Sequence, residues 1–381
     1  MMTKFFPGIE TAGLLLIVHL LPLTAAVEVD TFGIRQIYPT KPETGSWNSA
    51  HWNNGNERTV RYGSDEYDPT DWTEDHSSGT DGFRIDGRGT MTMSGSGPRF
   101  HINSMDSSKV PAQFFRDVEF TAYYQRYGND GADWGGMVVG VRSGPLGHAS
   151  PGGNNCDATT YYARFRNDGK WDFEKELKHP GSTYWSGSGF NKQDPLWNGN
   201  PLPLGRWIGM KFIVYTIENN SEVGLELYID SLSDGSPDDG GVWELVGRVT
   251  DKGSWPSGDV TGCAYEQNAV ISEGHGTVLM RTDGDTAVYT MVSVREIDPV
   301  SPAITSSGTS GYNRRRNDTM LQPLMTGRGM YIIACYPGGT GYRMYSLRGR
   351  LISSGRLISG GRYDGMPDAD LIKRFRMQSF R

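Results

Sequence analysis

The chain has 381 residues, of which 51 are Gly and 20 are Pro; this content argues against long helices and favours many short strands joined by turns. Aromatic residues make up 11%, enough to fill a sheet sandwich and still leave rings on a binding surface. The net charge of -7 is uneven, because residues 301–381 hold 13 Lys and Arg against 4 Asp and Glu. The rest of the chain is acidic, which excludes nucleic acid as an expected partner.

The pattern of the first segment, residues 1–26, predicts a signal peptide. Lys4 precedes the apolar run AGLLLIVHLLPLTAA, and small residues offer cleavage after about Ala26. The run is short and is interrupted by His19 and Pro22, so no membrane span is expected. We therefore expect a secreted protein, extracellular or at the cell surface.

Residues 27–302 predict an all-β fold, a two-sheet antiparallel jelly-roll sandwich. Its strand candidates alternate apolar and polar residues and are separated by Gly, Asn, Asp and Ser clusters. They are residues 82–87, 90–95, 118–127, 135–142, 160–166, 171–177, 207–217, 223–230, 242–249, 276–283 and 286–297. Within this domain, Cys156 and Cys263 are expected to form a disulfide in an oxidising compartment, the alternative being two unpaired buried thiols.

The end of the chain differs in composition from the predicted sandwich. Residues 303–319 have the composition of a linker, and residues 320–381 predict a small, basic β-rich module. Its positive charge could attach the protein to an anionic cell surface, although most charge runs are simply solvated.

One hairpin is predicted in detail, over residues 161–177. The loop Asn167-Asp168-Gly169 closes it, with Gly supplying the positive φ that such loops need. This register gives the hairpin a polar face and a core face. The polar face pairs Arg164 with Asp172 and Tyr162 with Glu174, whereas the core face holds Ala163, Phe165, Trp171 and Phe173.

The polar face carries the spacing D-x-E-x-E in Asp172, Glu174 and Glu176. A β-rich, exported chain with such a strand resembles the concanavalin A-like jelly-roll superfamily of glucanases and polysaccharide lyases. Laminarinase-type members carry E-x-D-x-E, so the spacing matches and the identities differ. The resemblance implies Glu174 and Glu176 as an acid/base pair assisted by Asp172. Alternate strand residues lie ~6.8 Å apart, within the range for carboxyl pairs of inverting glycosidases.

A lyase interpretation uses the same hairpin differently. Elimination in uronic-acid polymers needs a residue that moves the C5 proton, and Tyr162 and His179 could do so. It also needs groups that neutralise the substrate carboxylate, and the cations nearby in sequence are Arg164, Arg166 and Lys178. A third interpretation is an ordinary solvated face on which Arg164, Lys175 and Lys178 balance the acids.

No cofactor is expected to be required. His and Cys residues do not cluster at zinc spacing. The loop 230–241 collects Asp230, Asp234 and Asp238 and could bind structural calcium through oxygen ligands, although acidic turns are common. The sequence therefore predicts a polysaccharide partner, with a glycoside hydrolase or polysaccharide lyase as the leading function and a non-catalytic carbohydrate-binding or surface-adhesion module as the alternative.

Overall fold

The computed structural model of the protein describes part of the chain. The described residues are 28–69, 71–74, 82–102, 104–105, 110–111, 115–129, 133, 135–144, 155–185, 196–197, 199–217, 219–231, 241–273, 276–299, 320–326, 329–335, 341–346, 351–358 and 362–363. The predicted signal peptide and linker lie outside these residues. No helix in the described ranges is long and apolar enough to cross a membrane.

The fold is all-β, as the sequence predicts. Two short 3-10 helices, Ser49–Asn53 and Asn155–Asp157, accompany the strands of the described residues. The strands of the larger part are β1 (Ser46–Asn48), β2 (Arg58–Val60), β3 (Gly63–Ser64), β4 (Trp72–Glu74), β5 (Phe83–Ile85), β6 (Thr90–Ile102), β7 (Ser104–Met105), β8 (Val110–Pro111), β9 (Val118–Asn129), β10 (Gly136–Ser143), β11 (Thr160–Arg166), β12 (Trp171–Glu176), β13 (Thr183–Tyr184), β14 (Trp207–Ile217), β15 (Glu222–Asp230), β16 (Glu244–Asp251) and β17 (Thr277–Glu296).

Apart from β7 and β8, which pair with each other in a separate two-stranded sheet, these strands form an antiparallel two-layer sandwich. The front sheet has the order β13-β12-β11-β10-β17-β6-β4-β3. The back sheet has the order β16-β15-β14-β9-β17-β6-β5-β2, and β1 extends it by pairing with β17. Strands β6 and β17 pass from one layer into the other, so that hydrogen bonding is continuous from the front sheet to the back sheet.

The prediction of two separate strands at residues 276–283 and 286–297 was wrong. Strand β17 is one element of 20 residues, whose first part pairs with β10 and whose second part pairs with β9. The pairing of β17 with β6 shifts register between Arg281 and Asp285. Such irregularities bend a strand without ending it, which allows β17 to serve both sheets.

The core lies between the two sheets and receives the predicted apolar face of hairpin β11–β12. Phe173 of β12 meets Phe212 of β14 with ring centroids 6.0 Å apart. Trp171 lies so close to Gly247 of β16 that a Cβ on that glycine would be 2.0 Å from Cη2 of the indole. Ala163, like these rings, is buried in the main apolar cluster. The predicted core face of the hairpin is therefore confirmed.

Near the C-terminus, five further strands form an antiparallel sheet of their own. They are β18 (Met320–Thr326), β19 (Gly329–Cys335), β20 (Gly341–Ser346), β21 (Leu351–Ile358) and β22 (Arg362–Tyr363). Within the described residues they pair only with one another, in sequential order. The division of the chain at residues 303–319 stays a prediction.

Candidate functional site

Hairpin β11–β12 forms with the register that the sequence predicts. Tyr162 pairs with Glu174, and Arg164 pairs with Asp172. Gly169 closes the turn at a φ of 79°, in the left-handed region that side chains with a Cβ rarely adopt. Because side chains alternate along a strand, this register places the acids of β12 beside the cation of β11 on one face.

The three acids of the polar face are buried. Asp172, Glu174 and Glu176 expose 3%, 5% and 3% of their surface, so the interpretation of this face as solvated was wrong. Arg164 donates from Nε and Nη2 to the two carboxylate oxygens of Asp172 at 3.1 and 3.0 Å. Its Nη2 also lies 3.3 Å from Oε2 of Glu174. This pairing offsets the desolvation of the buried charges.

Two lysines that were expected to balance these acids have other partners. Lys175 lies on the core side of β12, where its Nζ donates to Oδ2 of Asp251 at 2.7 Å and to the carbonyl of Trp255 at 3.0 Å. Lys178, predicted to bind substrate, donates to the carbonyl of Thr261 at 2.6 Å. The segment around residues 251–261 therefore engages both lysines, whereas Arg164 contacts both Asp172 and Glu174.

Tyr162, Glu176 and His179 form a second group on the polar face. The Tyr162 hydroxyl donates to Oε2 of Glu176 at 3.0 Å, and Nδ1 of His179 lies 2.9 Å from Oε1 of the same carboxylate. From β17, the guanidinium carbon of Arg281 lies 5.9 Å from the centroid of the Tyr162 ring. The structure thus joins three of the five predicted catalytic residues through one carboxylate.

Space for the Tyr162 ring comes from Gly140 in the neighbouring strand β10. The two residues are direct partners across the strands. A Cβ at position 140 would lie 2.9 Å from Cε1 of Tyr162 and 2.8 Å from Cγ2 of Thr160. Val138 and Leu279 pack with the ring in a small apolar cluster. A larger residue at position 140 would therefore displace the ring that reaches Glu176.

The end of β12, where His179 lies, is held by the predicted disulfide. Cys156 and Cys263 are bonded, with their Cα atoms 5.5 Å apart, and this prediction is confirmed. The backbone N–H of His179 donates to the carbonyl of Asn155 at 3.0 Å. Because Asn155 precedes Cys156, the cross-link and this hydrogen bond position His179 beside Glu176.

Burial changes the acid–base properties of the polar face. Removal from water raises the pKa of Glu174 above its ordinary value, despite the opposing attraction of Arg164. Burial, reinforced by the Glu176 carboxylate, raises the pKa of the Tyr162 phenol well above its ordinary value. A carboxyl group that keeps its proton to higher pH suits a general acid, whereas a phenol of raised pKa stays protonated at neutral pH and is not available as a base.

Tyr184 is an exposed aromatic residue at the edge of the polar face, and sequence reasoning missed it. It lies in β13, pairs with Glu174 and is 44% exposed. The guanidinium carbon of Arg164 lies 5.1 Å from its ring centroid, a cation–π contact. Because Arg164 covers one face of the ring, the exposed area belongs to the other face and the edge. The sequence feature that could have identified Tyr184 is the pair of adjacent aromatic residues Tyr184-Trp185 in an otherwise polar stretch.

Arg166, the remaining predicted substrate-binding residue, lies at the turn of the hairpin. Its Nε and Nη2 donate to the carboxylate of Asp168 at 3.1 and 2.9 Å, and its Nη1 donates to Asp172 at 3.3 Å. The side chain is 22% exposed, so Arg166 forms a partly open rim next to the buried Arg164 pair.

The predicted calcium ligands are only partly described. Asp230 is buried and accepts hydrogen bonds from the Tyr123 hydroxyl at 3.0 Å and from the backbone N–H of Val242 at 3.3 Å. Asp234 and Asp238 lie outside the described residues. Across the described ranges, no group of three or more His, Cys, Asp or Glu side chains is arranged to hold a metal ion.

No family model matches the chain, and no curated protein matches it. Solved structures to which this chain is similar include domain 4 of an extracellular arabinanase from Geobacillus stearothermophilus, in complex with arabinotriose. The identity is 11%, the match covers 70% of this chain and 98% of that chain, and the TM-score is 0.31. A seed lectin from Lotus tetragonolobus matches at 9% identity, covering 66% and 97%, with a TM-score of 0.31. Arcelin-5, a lectin-like defense protein from Phaseolus vulgaris, matches at 12% identity, covering 62% and 97%, with a TM-score of 0.28. Likenesses this distant carry no functional conclusion, and membership of the concanavalin A-like superfamily stays a prediction.

Proposed function

We propose that this protein is a secreted carbohydrate-binding protein, and that Tyr184 is its principal contact with a polysaccharide. The observation that supports this proposal is the exposed Tyr184 ring resting on Arg164 at the edge of a polar face. Aromatic rings present a flat apolar surface with a polar tip, which fits the mixed apolar and hydroxylated surface of a sugar. The disulfide between Cys156 and Cys263 supports an oxidising, extracellular compartment.

The polar face gives Tyr184 a rigid support. Arg164 is held by two hydrogen bonds to Asp172 and is buried, so the cation under the ring has little freedom to move. A ring whose orientation is fixed before binding loses less side-chain entropy when a ligand arrives. The buried charges of the hairpin therefore act mainly as a scaffold for the exposed aromatic surface.

Retention on immobilised polysaccharides tests this proposal. The wild-type protein should be retained by at least one member of a panel of neutral and acidic polymers, and Tyr184→Ala should weaken the interaction roughly tenfold, the size of one lost aromatic contact. Tyr184→Phe keeps the ring and should remain close to wild type. If Tyr184→Ala binds as well as the wild type, the contact surface lies elsewhere.

Cleavage of the bound polysaccharide by Glu174 and Glu176 is a second candidate function. It is favoured by the raised pKa of Glu174, which would allow this residue to act as general acid while Glu176 acts as base or nucleophile. Asp172 would assist by holding Arg164 against Glu174. The test is the release of reducing ends from the polymer that binds, with loss of release in Glu174→Gln and Glu176→Gln.

Elimination receives less support from the same contacts. The Tyr162 hydroxyl donates a hydrogen bond to Glu176, and its raised pKa keeps it protonated, so it is poorly suited to remove a proton from a uronic acid. Such a reaction would yield unsaturated products that absorb in the ultraviolet, and Tyr162→Phe would abolish them. Their detection would overturn this ranking of the two reactions.

The C-terminal sheet is proposed to form a separate module that attaches the protein to an anionic cell surface. Support comes from its own strand pairing and from the excess of basic residues beyond position 301. Limited proteolysis of the full chain should cut first within residues 303–319, the predicted linker. First cleavage inside the sandwich would contradict this division.

A further inference from the structure

The Tyr184 contact has a counterpart elsewhere in the protein. Arg58 donates from Nε and Nη2 to the two carboxylate oxygens of buried Asp65, at 3.1 and 3.0 Å. Its guanidinium carbon lies 4.3 Å from the centroid of the Tyr67 ring. Tyr67 is 42% exposed, close to the 44% of Tyr184. Each unit therefore consists of a buried aspartate, an arginine held by both of its oxygens, and an exposed tyrosine on that arginine.

The Tyr67 unit is fixed by the backbone as well as by the arginine. The backbone N–H of Tyr67 donates to Oδ1 of Asp65 at 3.0 Å, so one carboxylate orients both the guanidinium group and the segment that carries the ring. Arg58 belongs to β2 of the back sheet, and Asp65 follows β3 of the front sheet. The ion pair thus joins the edges of the two layers, and the ring is held at a rigid corner of the sandwich.

The two units lie at opposite edges of the front sheet. Tyr184 is in β13 at one edge, and Tyr67 follows β3 at the other edge. A row of directly paired residues crosses the sheet between them: Tyr184, Glu174, Tyr162, Gly140, Leu279, His101, Trp72 and Ser64. Seven spacings between neighbouring strands, each about 4.8 Å, separate the two edges by about 34 Å.

We propose that Tyr67 is a second carbohydrate-stacking site, so that one molecule of this protein contacts a polysaccharide at two points. The inference rests on the proposed carbohydrate-binding function, and it adds that the protein contacts the polysaccharide at two sites. The ligand class is a polymer or long oligosaccharide whose sugar rings offer an apolar face. A short oligosaccharide occupies one ring at a time, whereas a chain or a bundle of chains that spans the two edges engages both.

Two linked contacts have a measurable consequence. Once the first ring has bound a long ligand, the second ring meets it at a high effective concentration, and the apparent affinity rises without a new kind of contact. Short ligands do not show this gain. The affinity for long polymer should therefore exceed the affinity for a short oligosaccharide of the same sugar by roughly a hundredfold.

The test uses the full chain and four proteins: wild type, Tyr67→Ala, Tyr67→Phe and the control Tyr127→Ala. Tyr127 is 57% exposed, and within the described residues no arginine lies over its ring, so it is more exposed than Tyr67 but lacks the guanidinium support. Binding of a tetrasaccharide and of the parent polymer is measured by isothermal titration calorimetry. The polymer is the member of the panel that retains the wild type.

The proposal predicts that Tyr67→Ala loses most of the gain for polymer, about tenfold or more, while Tyr67→Phe and Tyr127→Ala keep it. Equal polymer affinity in Tyr67→Ala and the wild type would overturn the second site, and Tyr184→Ala would then still report on the first. If Tyr127→Ala loses as much as Tyr67→Ala, the effect is not specific to the guanidinium-supported ring. If the wild type binds no member of the panel, both the function and the second site are wrong.

Discussion

Arg164 holds Asp172 through two hydrogen bonds, from Nε and Nη2, across the pair of strands that forms the candidate site. Both residues are buried, and the same guanidinium group also contacts Glu174 and supports the ring of Tyr184. One arginine thus connects two of the buried acids of β12, Asp172 and Glu174, to the exposed Tyr184 ring. Its removal should affect both stability and binding.

Arg164→Met is expected to destabilise the protein strongly, by about 3–5 kcal/mol, because it removes the two hydrogen bonds to buried Asp172 and the cation beside buried Glu174, and leaves Asp172 with the longer contact to Arg166. The control is Arg166→Met, since Arg166 is partly exposed and its loss should cost about 1 kcal/mol or less. Urea unfolding at neutral pH measures the free energy of unfolding of both variants. Equal losses would show that Arg164 is not the essential counter-ion of this face.

Glu174 should make stability depend on pH. Because its pKa is raised in the folded protein, the folded state holds the proton to higher pH than the unfolded state does. Its contribution to stability is therefore present at low pH and decreases as the pH rises from the unfolded value, about 4.3, through the folded one. Glu174→Gln cannot titrate, so the free energy of unfolding of the wild type relative to this variant should fall over that window. A difference that stays constant or rises with pH would contradict the burial of this carboxyl.

The close approach of the two sheets can be tested at Gly247. A methyl group there would meet the Trp171 ring, so Gly247→Ala should destabilise the protein by about 1–3 kcal/mol through overpacking. Gly128→Ala is the control, because no atom lies within 4 Å of the Cβ that it would add. Thermal unfolding followed by Trp fluorescence compares the two. A Gly247→Ala variant as stable as the control would mean that the sheets pack differently.

The cross-link between Cys156 and Cys263 should contribute substantially to stability, since the two residues are 107 positions apart. Replacing both with Ser is expected to cost about 2–5 kcal/mol. Treatment of the wild type with a reductant should produce a similar loss in urea unfolding, whereas the double variant should not respond to the reductant. A wild type that is insensitive to reduction would argue against this role of the cross-link.

The sequence predicted the sandwich, the disulfide and the register of hairpin β11–β12. These features depend on local signals: alternation along each strand, and an Asn-Asp-Gly loop whose glycine adopts the positive φ. The core face of the hairpin followed from the same alternation, because Phe173 and Trp171 are apolar and share one side.

The burial of the polar face could not be predicted in the same way. The burial depends on residues that are distant in sequence, such as Arg281 of β17, which lies beside Tyr162. It also depends on the position of Lys175, which binds Asp251 on the core side of the strand and not the acids of the polar face. Tyr184 was missed because its strand has only two residues, too few to show alternation. The sequence predicted two strands in place of β17 because Gly and Asp residues occur both at a bend within one strand and at a turn between two strands.

The central claim is that an exposed Tyr184 ring, supported by Arg164, contacts a polysaccharide. The most direct measurement is a titration of the full chain, labelled with ¹³C in the tyrosine rings, with oligosaccharides of the polymer that retains it. We predict that the ring resonances of Tyr184, assigned with Tyr184→Phe, shift in proportion to binding while those of Tyr127 stay unchanged. Saturable binding with no change at Tyr184 would contradict the claim.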